Sequence, residues 1–362
     1  MRSIILAGMT FLVLMTGAFA ANDIFVERVV GRELPGLYKH PCTITQLQNG
    51  DLYIAYYGGS GEYRDDSKVW GIRKPAGQDK WSAPVAIADT PFRGEGNPVV
   101  WQAPDGRVWL FYVQRYGDTW SDSRVKCKIS DDGAKTWSDS VMVTFDQGMM
   151  VQGLPVVLNN GDYLLPAYHE TGHDTEKTDP DTCSLFFRID PKTNTWTETG
   201  RIVSDNGNLQ AHAVQLTDDH LIAYARRGGT FDPLPDGRII RAESHDGGNT
   251  WTKGQPSQFK NPNAGIAFIK LENGHLVLVY NDSIGERTPL TVSISTDNDK
   301  SWPYKRNIAE GENTFAYPVA IQTQDGKIHV ACTTDERQTI LHFVFDEQAI
   351  LSPPTGASSS GR

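Results

Sequence analysis

The chain reads as an all-β protein, a six-bladed β-propeller, on three observations. Tryptophans follow Lys80, Thr136, Thr195, Thr250 and Ser301, so that Trp81, Trp137, Trp196, Trp251 and Trp302 recur at intervals of about 51 to 59 residues. In step with them runs a polar turn followed by an alternating apolar strand: QNGDLYIAYY (48–57), PDGRVWLFYV (104–113), NNGDYLLPAY (159–168), TDDHLIAYAR (217–226), ENGHLVLVYN (272–281) and QDGKIHVACT (324–333). Helical periodicity is almost absent. A unit of about 55 residues repeated in this way predicts a closed ring of blades rather than a sandwich.

The elements follow in order. Arg2, an apolar run from Ile4 to Met15 and the small-x-small pattern Ala18-Phe19-Ala20 predict a signal peptide over 1–20, cleaved after Ala20. That run is about 12 residues, short of the ~20 a membrane span needs, so a secreted or periplasmic protein with no membrane span is expected. The propeller is assigned to 21–350 and a flexible C-terminal tail to 351–362. After Trp302 only three strand-like runs remain, near 316–323, 327–333 and 340–345, and the segment Ile24–Val30 is expected to supply the missing strand and close the ring. The Asn-Gly and Asp-Gly pairs predict type I′ hairpins, whose central residues both need positive φ.

A formal charge of −10, from 44 acidic and 34 basic residues without a long basic run, argues against a nucleic-acid partner. Cys42, Cys127, Cys183 and Cys332 lack metal-ligand spacing, and either disulfides or buried thiols fit them. No metal or cofactor is expected, and the chain is expected to be a monomer.

Residues 130–137 read SDDGAKTW and residues 244–251 read SHDGGNTW. The Asp can bind amides of its own loop, Gly supplies positive φ and Trp packs beneath, so the turn is a fold staple rather than an active site. A fifth copy, STDNDKSW at 295–302, has Asn298 and Asp299 where glycine is wanted, and the first and third keep little beyond the Trp. This turn resembles the Asp-box, or BNR repeat, and the chain from about residue 24 to 350 is similar to the sialidase superfamily of six-bladed propellers. HPCTITQLQNGDLYIAYYGGSGE (40–62), NPNAGIAFIKLENG (261–274) and AYPVAIQTQDGKIHV (316–330) most resemble bacterial sialidase-like proteins.

The resemblance implies a tyrosine nucleophile, a separate general acid/base and cations that hold the substrate carboxylate. Phe315-Ala316-Tyr317-Pro318 looks like the nucleophile segment and makes Tyr317 the candidate. Arg226 in IAYARRGG and Arg287 in GERTPLTVSIS match two of the three carboxylate-binding arginines; the third is replaced by Lys39 in Lys39-His40-Pro41. Lysine is a point charge without the bidentate fork of arginine. Where the family has an acid that activates the tyrosine, this chain has Gln210, which cannot take a proton, leaving Glu170, His212 or Glu312 to substitute. The acid/base is expected in SGEYRDDSKVW (60–70), as Asp66, with Glu62 and Asp65 as alternatives. Carboxylates this close shift one another's pKa values apart.

His40, His169 and His212 lie at comparable points of different blades and are expected to share one mouth of the channel with the arginines. Tyr116 and Trp120 are candidate stacking platforms for sugar rings, Trp70 and Trp109 core residues, and HDTEKTDPDT (173–182) an exposed loop at a blade edge. The resemblance and this pocket together imply an exported sialidase-like glycoside hydrolase removing a terminal acidic sugar, sialic acid or a relative, from glycans. A polysaccharide lyase or hydrolase acting on uronate-containing glycans, or a non-catalytic carbohydrate-binding propeller, stand as alternatives, all with an acidic glycan as partner.

Overall fold

The computed structural model describes residues 23–175 and 177–352, where the six turn-and-strand units form six antiparallel sheets around a central channel. The expected signal peptide (1–20) and the tail from residue 353 onward lie outside the described residues; Leu351 ends a short helix, Gln348–Leu351. No helix among the described residues is long and apolar enough to cross a membrane.

The innermost strands are Tyr38–Gln46, Glu95–Gln102, the broken pair Met149–Val151 and Val156–Val157, Asn208–Gln215, Ala267–Lys270 and Ala316–Gln322. The ring closes as the missing strand predicts. Ile24–Val30 pairs antiparallel with Thr339–Phe345 and becomes the outermost strand of the sixth blade. Arg32 reinforces the join with bonds of 2.6 and 2.5 Å to the carboxylate of Asp335.

Apolar side chains of the described residues gather in six clusters, one in each seam between neighbouring blades. Val99, Phe111, Leu165 and Phe187, for instance, close the seam between the second and third blades. The recurring tryptophans sit in these seams: Trp251 stacks on Phe186 of the preceding blade at 5.0 Å, and Trp196 lies 5.8 Å from Trp109. At about 25 cal/mol per Å², burying such a ring contributes several kcal/mol, so the repeat that marks the blades also joins them.

The Asp-box turns form as their residues predict. Asp132 accepts the Lys135 and Thr136 amides at 3.0 and 2.9 Å and the Thr136 hydroxyl at 2.6 Å, and Asp246 does the same with Asn249 and Thr250. The fifth copy is intact despite its spelling. Asp297 accepts the Ser301 amide and hydroxyl at 2.9 and 2.6 Å, while Asn298 and Asp299 take left-handed φ of 58° and 72°. Asn and Asp tolerate that region better than other residues with a Cβ.

The Asn-Gly and Asp-Gly hairpins differ from the type I′ expectation. Only the glycine is left-handed, with φ of 87° at Gly50 and 91° at Gly106, and Gly50 N–H donates to Leu47 O while Leu47 N–H donates to Asp51 O, both at 2.8 Å. This is a type I turn followed by a glycine bulge. Asn49 stays right-handed and uses its side-chain oxygen to accept the Asp51 amide. Beside these turns, a glutamine ends four of the inner strands and ties adjacent blades together: Gln46 accepts the Gln324 amide, Gln102 that of Gln48, Gln215 that of Asn159 and Gln322 that of Glu272, at 2.6 to 2.8 Å. All four cysteines are buried free thiols.

The opposite ends of the inner strands are irregular. Register to the next strand slips between Lys39 and Cys42, Gly96 and Val99, Leu209 and His212, and Ala316 and Val319. Asn97, Gln210 and Tyr317 occupy three of these bulges with φ of 43°, 58° and 52°. A bulge inserts one residue and re-aims a side chain, and here it turns polar groups into the channel.

Candidate functional site

Those bulges surround a narrow cavity of about 60 Å³ at one mouth of the channel. His40, Asn97, Gln210, Asn263 and Tyr317, each from the start of a different blade, share its wall. Asp174, Thr175, Lys177 and Thr178 of the third blade also line it, and the last two reach the fourth blade, where Lys177 bridges to Thr230 and the Thr178 hydroxyl accepts the Gly229 amide at 3.2 Å. Part of the loop expected at a blade edge therefore lines the site.

Tyr317 is held in a left-handed conformation that a bulky residue adopts only under strain, on the order of 1–3 kcal/mol, a feature that clusters at functional sites. Its hydroxyl oxygen accepts from Arg226 Nη1 at 2.5 Å and from Gln210 Nε2 at 3.4 Å. Its ring packs edge-on against His40 at 4.2 Å, with the guanidinium groups of Arg226 and Arg287 at 5.7 and 5.5 Å from its centroid. Phe231 faces the same two cations, each 5.6 Å from its ring. Arg226 is braced by Nε donating to Asn263 at 2.6 Å. Arg287 donates one Nη to Asn263 O at 3.3 Å, while its other, Nη1, is buried and has no hydrogen-bond partner.

A third arginine completes the cluster. Arg337 sits in a hairpin turn where Asp335, Glu336 and Arg337 are all left-handed, its guanidinium 5.9 Å from the ring of Tyr38. Burial pushes the Arg287 guanidinium down to about 10, and the charges of Arg337 and Arg226 push the same way against the pull of Tyr317. Burial, then Arg337, Arg287 and Arg226, hold His40 well below its usual value, so its imidazole is neutral. Its Nδ1 lies 2.7 Å from the Thr333 hydroxyl. Three cations crowded around a neutral histidine and a tyrosine make a cavity suited to an anion.

Three carboxylates line this mouth, the exposed Asp174 and the half-buried Glu62 and Glu170. Glu62 accepts from the Tyr38 hydroxyl and, at 3.3 Å, from Trp120 Nε1. Desolvation pushes the Glu170 carboxyl up to about 7; Arg226 opposes the rise and the negative charge of Glu62 adds to it. A carboxylic acid protonated near neutrality beside a second carboxylate is the pairing that acid/base chemistry requires. Tyr168 lines the same cavity, its buried hydroxyl accepting from Asn97 at 3.0 Å and Gln210 at 3.3 Å.

The structure thus brings together Glu62, Tyr317, His40, Arg226 and Gln210, with Glu170 among them and Arg287 beneath. It does not bring the others. Lys39 is fully buried, its ammonium donating to Gly36 O and lying outside the cavity wall, because adjacent residues of a strand point to opposite sides. Asp66 is exposed and holds its own loop, accepting the Ser60 amide at 3.1 Å, and Asp65 pairs with Arg115 at 2.9 Å. His169 contacts Gln147 O and Arg201, both at 3.1 Å. His212 lies past the bulge at Gln210 and lines the channel's other mouth, its pKa lowered by burial to about 4. Glu312 is exposed. Trp120 lines the cavity, Tyr116 lies outside it under Arg93 and Arg124, and Trp109 is buried.

Sequence reading missed Arg337, Asn97, Asn263 and Tyr168. One signal was present: His40-Pro41, Asn97-Pro98 and Tyr317-Pro318 each place a proline after the residue that faces the cavity. Proline has no N–H for the ladder and suits the point where pairing slips.

The fold is that of a six-bladed β-propeller built from BNR-type repeats. Residues 50–330 match the BNR repeat-like domain, and the chain belongs to that family. Among solved structures it is similar to the Hadza microbial sialidase Hz136, with a TM-score of 0.73 and 16% identity over 87% of this chain and 67% of that one. It is similar also to the intramolecular trans-sialidase from Ruminococcus gnavus, solved with oseltamivir carboxylate (TM-score 0.72, 14% identity, 93% and 100% covered). An α-L-arabinofuranosidase from Fusarium graminearum shares the architecture at a TM-score of 0.67 and 12% identity, with 91% and 99% covered. No curated protein sequence matches the chain.

Proposed function

We propose that the chain is an exported, sialidase-like glycoside hydrolase that removes a terminal acidic sugar from glycans. The observation that carries this is the buried, unpartnered Nη1 of Arg287 within a group of three arginines around Tyr317. A substrate carboxylate there would accept charge-assisted hydrogen bonds and relieve the mutual repulsion of the guanidiniums. In this reading the phenolic proton of Tyr317 passes through water to the Glu62 carboxylate as the Tyr317 oxygen attacks the anomeric carbon and the bond to the leaving oxygen breaks. Glu170, protonated near neutrality, gives that leaving oxygen its proton, and Glu62 returns its own to Tyr317 when the glycosyl–tyrosine bond is later cleaved. The Glu170 carboxylate then takes a proton from the water that cleaves the glycosyl–tyrosine bond.

A second reading rests on Gln210. Among the described residues no carboxylate is hydrogen-bonded to the Tyr317 hydroxyl, whereas Glu62 and Glu170 face one cavity. In that case the two carboxylates act on a uronate-containing glycan, by hydrolysis or elimination, and Tyr317 only binds. Incubating the mature protein with a sialyl-glycoside chromogen, and in parallel following unsaturated-product absorbance with acidic polysaccharides, separates the two. Chromogen release abolished by Tyr317→Phe supports the first; product that survives Tyr317→Phe but not Glu170→Gln supports the second; silence in both assays rejects each.

A further inference from the structure

Away from both mouths of the channel, on the outer part of the fourth blade, three donor groups converge. His220 ends the hairpin turn of that blade, Glu243 lies near the end of strand Arg238–Ser244, and His245 opens the Asp-box turn that follows. The Nε2 atoms of both histidines face one oxygen, Oε2 of Glu243, at 3.0 Å for His220 and 3.4 Å for His245. One donor atom from each of the three residues lies within 4.8 Å of the others, and the two imidazoles stack at 4.9 Å with an angle of 21°.

An ordinary ion pair explains one histidine on a carboxylate, not two. If both rings were protonated, two positive charges would lie face to face; if both were neutral, both N–H groups would be spent on the two lone pairs of one carboxylate oxygen. A metal ion removes the conflict, because it takes both imidazoles as neutral ligands. Ligands about 2.0–2.1 Å from a tetrahedral zinc lie roughly 3.3–3.4 Å from one another, close to the separations already present. His245, with 65% of its side chain exposed, can turn to complete the geometry.

The carboxylate is positioned from behind. Arg241 Nη1 donates to the other oxygen of Glu243 at 2.5 Å, and Arg241 Nε is held by Asp299 at 2.8 Å. Asp299 is fixed in turn by the Tyr224 hydroxyl at 2.7 Å and Trp302 Nε1 at 2.8 Å. The guanidinium is thereby neutralised by Asp299, and Glu243 keeps a net negative charge for an incoming cation. Partners that orient a ligand in this way affect affinity almost as much as the ligands do.

We propose that His220, Glu243 and His245 form a surface site for one divalent transition-metal ion, Zn²⁺ being the best match to two imidazoles and a carboxylate with one position left to water. The bound ion joins the hairpin turn of the blade to its Asp-box turn, and so acts on stability and not on the narrow mouth. The test is calorimetric titration of ZnCl₂ into the mature protein carrying no histidine tag, with thermal unfolding alongside. The proposal requires one saturable ion per chain, a Tm raised by about 2 °C or more, and affinity at least about tenfold weaker in His220→Ala and His245→Ala variants whose metal-free Tm equals that of wild type. No saturable binding to wild type, or equal binding to the double variant, overturns it.

Discussion

The two mouths of the channel are built from the same strands and are opposites in character. At one, where the inner strands end, a wide cavity of about 610 Å³ is rimmed by glutamines whose side chains are used up in bonding neighbouring turns. At the other, where those strands begin, a cavity of about 60 Å³ is lined by the left-handed residues of the bulges, by Arg226 and by three carboxylates, with Arg287, its Nη1 buried without a partner, against the ring of Tyr317. The wide end spends its glutamines on holding blades together, and the narrow end gathers charged and left-handed residues around Tyr317. Size is thus a poor guide to chemistry in this ring: the larger cavity carries the structural bonds, and the smaller carries strain and charge.

Changes that break this contrast have effects of graded size. Tyr317→Phe removes only a hydroxyl, and on the tyrosine mechanism turnover of an acidic glycoside falls on the order of 10³-fold or more while Tm falls by only a few degrees as Arg226 Nη1 loses its acceptor, measured by initial rates and thermal unfolding. Glu170→Gln comes next, with a fall of about 10²-fold and a changed pH profile. Wild-type kcat/KM declines as pH rises through about 7, where the Glu170 carboxyl loses its proton, and the variant lacks that limb. Stability provides a second readout with a fixed sign. The folded-state value of Glu170 is raised above the model-peptide range, so wild type loses stability as pH rises from about 4.3 toward 7, and the glutamine variant gains more in Tm at pH 8 than at pH 5.

Effects at the other end fall on stability alone. Gln102→Ala leaves the Gln48 amide without its acceptor and lowers stability by about 1 kcal/mol, read from denaturant unfolding, with kcat/KM unchanged. The smallest effect belongs to the turns. Hydrogen bonds from Thr136, Thr250 and Ser301 hold the Asp132, Asp246 and Asp297 carboxylates below their ordinary values, with Asp246 at about 2. Their contribution is complete above about pH 4 and is lost as pH falls toward 2, so Asp246→Asn narrows the Tm difference between pH 6 and pH 3.

What could be read in the sequence follows the same division. The blades, their closure by Ile24–Val30 and the Asp-box turns were legible because each is a local pattern: a tryptophan at fixed spacing, a turn residue, an alternating strand. The candidate site could be read where strand position decides which cavity a residue faces, as for Arg226 and Tyr317. It was not legible where register decides. The slip at Gln210 separates that residue from His212, only two positions on, and sends the histidine to the other mouth. Simple alternation turns Lys39 away from the cavity that His40 faces. Arg337 arrives through a turn of three left-handed residues that carry no glycine to announce it. Glu62 was one of three acids in a loop, and only burial and the bonds from Tyr38 and Trp120 single it out from Asp65 and Asp66.

The central claim is that the narrow mouth, not the wide one, receives an anionic sugar through its arginines. The most direct test is a crystal structure of the Tyr317→Phe protein with an acidic monosaccharide glycoside. The account predicts ligand in the narrow cavity with its carboxylate on Arg287 Nη1, Arg226 and Arg337. Ligand in the wide mouth, or in the narrow one with its carboxylate turned away from these arginines, would contradict it.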